Sequence, residues 1–548
     1  MVEECTMPVV EINYNRLKKL IGGKADKKKI IDALPYLGLD IEGETNQGAR
    51  IEYSPNRPDY STDYGIAIGL QGLLGIKQGM VNLRIKNKEN YSIKVDSSVS
   101  KVRPFVMGII AKNGTIDDNM LKQLISMQED LHFGIGRRRK KSSIGIHDLD
   151  RISFPLKYSA VTRKHKFIPL HSDKQTSIDE ILANSDVGRD YRYILGNSPK
   201  VPLISDSENN TVSFPPIINA AITTVTTKTK NLFVEVTGIT KDDIEDVLSI
   251  IGTILQSAGF ELHAVKVSGA KNSSPLFKLR RLKIDSDLAN KTLGIDLSPG
   301  KIAASLKKSR LDANIRGTKI ECVIPRYRFD IFGPMDLVEE IALGYGIDNM
   351  EPVVSPSQTL GERHPESILL ESIRATMTGL GYMEGLNSSL TSQRTLYENS
   401  GRDYSEMISV LDSKSLEHTI LRDSLLPGLV DSFAKNIHEA YPQKLFELGT
   451  VFSNTGSISE HIHLCAASSH KDANFSELKS VLESVVYTIY GKTCQTKAAL
   501  HDSFERGRTA DIELGGKTIG MIGEISKLTK QSLRLREPIA AFEIKLPG

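Results

Sequence analysis

Four carboxylates stand within eleven positions, Asp330, Asp336, Glu339 and Glu340, in the stretch I-P-R-Y-R-F-D-I-F-G-P-M-D-L-V-E-E-I-A-L-G-Y-G from Ile324 to Gly346. Pro334 suits the first turn of a helix, where a missing N–H leaves nothing unsatisfied. Leu337, Val338, Ile341 and Ala342 then recur at helical spacing and predict one apolar face. Asp336, Glu339 and Glu340 at i, i+3 and i+4 are expected to share the opposite face, with Asp330 folded back from a loop. Charges so close repel unless something compensates. A helix N-terminus, a basic partner surface or a hard cation taking oxygen ligands would do so, and a plain solvated face is the alternative.

Other candidate groups are spread along the chain. Arg137 to Lys141 form its densest basic run, inside L-H-F-G-I-G-R-R-R-K-K-S-S-I-G-I-H-D-L-D. Such a run either contacts phosphate or is a solvated loop. His147-Asp148 could be an acid–base pair or a turn. Asn56-Arg57 lies between Pro55 and Pro58 and reads as a stiff turn ahead of a helix starting near Asp63, capped by Asp59 or Ser61. Gly65 and Gly69 on that helix would admit another backbone. Arg422-Asp423, in L-R-D-S-L-L-P-G, is either an interface element or a surface ion pair.

These phrases resemble, in order, the β subunits of phenylalanyl-tRNA synthetase of the archaeal and eukaryotic type. The resemblance rests on N-R-P-D with G-I-A, Q-E-D-L-H, G-R-x-R-K-K, G-I-H-D-L-D, S-F-P-P-I-I-N, E-V-T-G and the acidic stretch itself, and it runs from Met7 to Gly548. It implies the β half of an α₂β₂ ligase that joins phenylalanine to tRNA-Phe, with ATP and phenylalanine handled by the α subunit. It implies a domain that hydrolyses tyrosine mischarged onto tRNA-Phe, with an editing pocket at Leu203, Ser213, Glu235 and Thr237. Glu235 stands where the family has aspartate, which keeps the charge and moves it by a methylene. The resemblance also makes Asp330, Asp336, Glu339 and Glu340 Mg²⁺ ligands in a site shared with the α subunit. The last domain resembles a class II synthetase core. The strand I-H-L-C-A-A from Ile462 and the segment G-M-I-G-E-I-S-K from Gly520 lack the arginines such cores aim at ATP, and phosphate needs fixed cations or N–H donors. The implied core does not adenylate.

The elements needed to position these groups are legible as an α+β multidomain chain. Residues 1–80 are a small N-terminal domain and 81–269 a B3/B4-like editing domain. Residues 270–350 are a B5-like, winged-helix-type domain, and 351–548 the synthetase-like core, an antiparallel sheet with helices. Strands are expected at 106–111, 232–239, 260–267 and 408–411. Asp117 is expected to cap one helix, a second helix spans 242–258, and Ser298-Pro299 opens a third. Strand pairs are expected between 442–452 and 462–467 and near 504–525.

Composition narrows the reading. Lys and Arg total 70 against 67 Asp and Glu, a net charge of +3, so any nucleic-acid contact must come from local patches or a partner. Four cysteines, Cys5, Cys322, Cys465 and Cys494, show neither metal spacing nor a disulfide framework. No apolar run is long enough for a membrane span, and residues 1–8 lack a signal-peptide pattern. A cytoplasmic protein is expected. Two alternatives stay open: a synthetase paralogue acting as an RNA- or protein-binding module, and a freestanding hydrolase of mischarged tRNA.

Overall fold

The computed structural model describes residues 7–22, 25–87, 90–269, 272–354, 360–404, 406–411, 413 and 415–547. Cys5 and linker residues 355–359 lie outside the described residues. The chain divides into two compact units, Met1–Val354 and Ser355–Gly548.

In the first unit, strand Gly48–Tyr53 pairs antiparallel with Val9–Asn13 on one side and Leu39–Glu44 on the other. Asn13 and Asp26 cap the helices Tyr14–Ile21 and Lys27–Ala33. Helix Asp63–Leu73 starts after Thr62, whose hydroxyl accepts from the Gly65 N–H. Thr62 therefore fills the cap that Asp59 or Ser61 was expected to fill. Asp59 instead pairs with Arg57, and the Ser61 hydroxyl donates to the Pro58 carbonyl. That helix is buried almost all round, as an interior helix must be when no face is polar. A side chain at Gly65 would put its Cβ 1.5 Å from the Asp59 carbonyl oxygen, so the helix meets the N-R-P-D turn backbone to backbone.

Two larger sheets follow. Strand Leu232–Gly238 lies between Phe105–Lys112 and Ser142–Asp148, antiparallel to both. All seven of its residues are buried, because both faces of the sheet are covered. On one face lie the helices Asp118–Phe133 and Lys241–Ser257, packed through Met120, Leu124, Leu248 and Ile251. On the other face Val106, Ile110 and Phe233 meet Tyr158, Ile204 and Val212 of the second sheet. The segment expected as one strand at 260–267 breaks at Val265. Glu261–Ala264 joins the first sheet and Lys266–Ser268 the second, so a single run ties the two layers together. Farther on, strands Arg280–Asp285, Asp312–Arg316 and Lys319–Ile324 form an antiparallel sheet. Helices Ser286–Leu293, Pro299–Lys308 and Pro334–Tyr345 share a core with it. Ser298 caps the second of these, with Pro299 in its first turn.

The second unit is built on a seven-stranded sheet. Its order is Met383–Glu384, Gln443–Asn454, Ile458–Ser469, Ile539–Lys545, Lys517–Ile525, Phe504–Leu514, Gln495–Ala498. The long pairs are antiparallel, including the two read from sequence. Helices Pro365–Gly379 and Phe475–Tyr490 cover one face, and helix Leu426–Lys435 packs on the other. The strand expected at 408–411 reduces to one bridge, Ser409 to Ile420.

Candidate functional site

A cavity of about 310 Å³ opens between the Asp118–Phe133 helix, the sheet edge at Ser143 to Ile146 and the 213–220 turn. Its polar floor is Glu235, which is 2% exposed. One carboxylate oxygen, Oε1, accepts from the Ser213 hydroxyl at 2.9 Å, while the buried Oε2 has no hydrogen-bond partner among the described residues. His147 lies beneath, fully buried. Its Nδ1 is 2.8 Å from the Thr223 hydroxyl, which donates its own proton to the Ala220 carbonyl. Nδ1 therefore carries the ring proton, and in the neutral ring Nε2 is a bare acceptor. That Nε2 lies 3.9 Å from Glu235 Oε1 and has no hydrogen-bond partner either. Gly145 leaves the room for both, since a Cβ there would sit 2.5 Å from each. Glu235 Oε2 and His147 Nε2 are thus two buried acceptors, and each calls for a donor.

Of the residues expected in the pocket, Ser213 and Glu235 line this cavity and Leu203 and Thr237 do not. Leu203 packs into the apolar core with Phe167 and Phe214. Thr237 is fully buried, and its hydroxyl accepts from Arg103 Nε at 2.9 Å and lies 3.0 Å from the Ser143 hydroxyl. Strand geometry places it there: Thr237 shares a face with Glu235 but sits two residues farther along, outside the cavity lining.

The rim joins Arg139 of the basic run to Glu129 and His132 of Q-E-D-L-H, for which the sequence assigned no individual role. His132 Nε2 accepts from the Ile144 N–H at 2.8 Å, so its Nδ1 carries a proton toward Glu129 at 3.2 Å. Burial lowers the His132 pKa. Arg139 holds both Glu129 oxygens, at 2.9 and 3.1 Å, donates to the Ile217 carbonyl at 2.9 Å and stacks 4.4 Å over Tyr191. Burial pushes Glu129 up, but His132 and Arg139 outweigh it and bring its pKa to about 2. The signal available was the i, i+3 spacing within Q-E-D-L-H. Arg137, Arg138 and Lys140 of the basic run are exposed.

The acidic stretch folds differently from its spacing. Helix Pro334–Tyr345 forms as expected, but Glu340 turns inward at 7% exposure. The reason is Arg328, 1% exposed, which bonds to Glu340 and grips Asp330 through Nε at 2.9 Å and Nη2 at 2.7 Å. Asp336 Oδ2 accepts the N–H groups of Phe332 and Gly333 at 2.7 and 2.8 Å, as a capping carboxylate. Glu339 alone faces out. Among the described residues no three or more His, Cys, Asp or Glu side chains gather to hold a metal ion. The donor chemistry of the four carboxylates suits Mg²⁺, but their placement in this chain does not converge on one ion. Arg328 occupies the cation's place between Asp330 and Glu340. A small cavity joins this cluster to the N-R-P-D turn, where Arg57 grips Asp59 at 2.9 and 2.8 Å.

In the second unit Arg422 and Asp423 do not pair. Arg422 is buried against Glu447 and donates to the Thr450 carbonyl at 3.0 Å. Asp423 takes both arms of Arg402 at 2.9 Å. Buried Glu543 accepts the Ser424 hydroxyl at 2.6 Å, the Leu426 N–H at 3.0 Å and His463 Nδ1 at 2.7 Å. Burial raises its pKa, and these bonds more than reverse that, so it stays charged.

Known proteins match nearly the whole length. Residues 122–253 match the B3/4 domain, 282–347 the tRNA synthetase B5 domain, and 351–546 the phenylalanyl tRNA synthetase beta chain CLM domain. The chain is 36% identical to the phenylalanine–tRNA ligase beta subunit of Archaeoglobus fulgidus, with 98% of each chain covered. It is 36% identical to that of Methanococcoides burtonii over 98% of this chain and all of the relative. An N-terminal fragment of the phenylalanyl-tRNA synthetase β-subunit from Pyrococcus horikoshii superposes with a TM-score of 0.59 at 29% identity, covering 62% of this chain and 99% of the fragment. With relatives of this identity along nearly its full length, the chain belongs to the phenylalanine–tRNA ligase β-subunit family.

Proposed function

We propose that this chain is the β subunit of a ligase that joins phenylalanine to tRNA-Phe using ATP, and that the 310 Å³ cavity clears tyrosine from that tRNA. The observation that carries the editing reading is the unsatisfied buried acceptor in the cavity lining, Glu235 Oε2. A phenolic O–H is a donor for that floor. Phenylalanine has none, and would leave the buried acceptor unpaired. Leu124 and Ile144 of the cavity wall offer apolar contact to the ring.

The domain division proposed is 1–80, 81–269, 270–350 and 351–548, the last a class II-like core without its own adenylation site. Supporting this, Arg422 is consumed by Glu447 and the face of the sheet beside it is filled by Leu426, Leu429 and Phe433. Adenylation then belongs to an α partner. Mg²⁺ at Asp330, Asp336, Glu339 and Glu340 is proposed on donor chemistry alone, with the partner completing the site. No helix of the described residues is long and apolar enough to cross a membrane, which is consistent with a cytoplasmic enzyme.

The test is Glu235→Gln in the assembled ligase. Hydrolysis of Tyr-tRNA-Phe should fall by about 10- to 100-fold, the cost of one buried acceptor lost. Charging with phenylalanine should be retained. Unchanged hydrolysis removes Glu235 from the reaction and the cavity from editing.

A further inference from the structure

Arg103 is buried to 2% exposure, yet no carboxylate lies within ion-pair distance of it among the described residues. Its donors all go to neutral oxygens: Thr237 Oγ1 at 2.9 Å, the Thr237 carbonyl at 2.8 Å, the Ser143 hydroxyl at 3.3 Å, and the carbonyls of Lys140 and Arg139 at 3.2 Å each. A buried cation with no direct ion pair is costly, and the field of Glu235 offsets that cost only in part. The last two contacts are informative. Arg137, Arg138 and Arg139 have φ of +48°, +53° and +63°. Three successive non-glycine residues in the left-handed region persist only where surrounding bonds over-determine them. The turn's own backbone bonds, such as the Lys141 N–H to the Gly136 carbonyl at 2.8 Å, are joined by the Arg139 N–H to the His132 carbonyl at 3.0 Å, the Arg139 side chain on Glu129 and Ile217, and the Arg103 fork under the two carbonyls.

We infer that Arg103 is a positioning residue for tRNA: it clamps the strained 137–141 turn at the rim of the editing cavity so that Arg137 and Lys140 meet the phosphates of the aminoacylated 3′ end. This rests on the editing reading of the same cavity. Arg103 touches neither the cavity's contents nor the phosphate. It acts through the turn, which carries exposed cations on one side and the cavity wall, Arg139, on the other. Loss of the fork releases the turn while leaving every exposed cation in the chain.

The experiment measures KM and kcat for deacylation of Tyr-tRNA-Phe by the assembled ligase, at two salt concentrations. Arg103→Met should raise KM about tenfold with kcat nearly unchanged, as should the Arg137→Gln/Lys140→Gln pair, since both remove ordered phosphate contacts. The dependence of KM on salt should weaken in both. Combining them should be no worse than either alone, because they act through one turn. Arg103→Lys, which keeps the charge and cannot span both carbonyls, should raise KM by a few-fold, and it decides the matter if the methionine variant does not fold. The inference is overturned if KM stays put in the Arg103 variants, if kcat falls at constant KM, or if the combined losses multiply. A wild-type ligase that leaves Tyr-tRNA-Phe intact overturns the editing reading and this inference with it, whereas active deacylation with an unmoved KM overturns the inference alone.

Discussion

At the scale of single residues, the acidic stretch is governed by a buried ion-pair cluster, and the pairing is what spacing could not show. Arg328 is the hinge of the acidic stretch: Asp330 and Glu340, ten positions apart, both turn to it. Replacing Arg328 by methionine leaves two buried carboxylates without a partner and should cost about 3–5 kcal/mol of stability. Replacing Arg328 and Glu340 together, by methionine and leucine, removes one of the two stranded carboxylates and should cost less than the single change. Urea denaturation of the parent, the Arg328→Met and Glu340→Leu single variants and the double variant checks this. A double variant as unstable as the sum of its parts would show that the two residues are not coupled. The four acidic positions were legible in the sequence as a cluster. Their division into a cap, a buried pair and one exposed group was not, because the partner cation lies before the helix and outside its periodicity. The cavity shows the same limit. Ser213 and Glu235 were read from family phrases, while Arg103, a lone arginine far from any motif, is placed under the basic run only by the pairing of strands.

At the scale of elements, local chemistry accounts for most of what was legible. Asp117 and Ser298 cap the helices they were expected to cap, because capping depends on a residue and the N–H two or three positions on. What failed depended on distant partners. The 260–267 segment reads as one alternating strand, and only the two sheets it meets divide it. The expected strand at 408–411 has a single bridge because the facing ladder is just Ile420–Leu421 on Leu390–Thr391. The Asp63–Leu73 helix gives the element-scale test. Gly65 faces the Asp59 carbonyl at a distance no Cβ can occupy. Gly65→Ala, favourable by about 1 kcal/mol for helix formation alone, should therefore destabilise the chain, by about 1–3 kcal/mol as overpacking does. A thermal midpoint equal to or above that of the parent would mean the helix can shift off the turn without loss.

At the scale of the whole molecule, the question is what this chain needs beyond itself. Phe332 is 78% exposed and Met335 54% exposed, two apolar side chains in the same acidic segment whose Asp336 caps the helix and whose Glu339 faces solvent. Large apolar groups standing free beside charged ones mark an interaction surface. On the reading proposed above that surface belongs to the α partner, and a shared Mg²⁺ would add to its binding by mass action. Exposure makes the test clean, because Phe332→Asp and Glu339→Ala remove nothing from the core of this chain. Each variant alone should unfold within about 0.5 kcal/mol of the parent. Co-expressed with the α subunit, the parent should sediment as a heterotetramer that charges tRNA-Phe. Phe332→Asp should shift it toward free subunits, with charging lost in proportion. Glu339→Ala should make assembly insensitive to whether a chelator or Mg²⁺ is present. Normal assembly by Phe332→Asp would place the interface elsewhere. A parent tetramer that forms equally well in chelator would leave the acidic stretch to Arg328 and its neighbouring arginines and remove Mg²⁺ from this site.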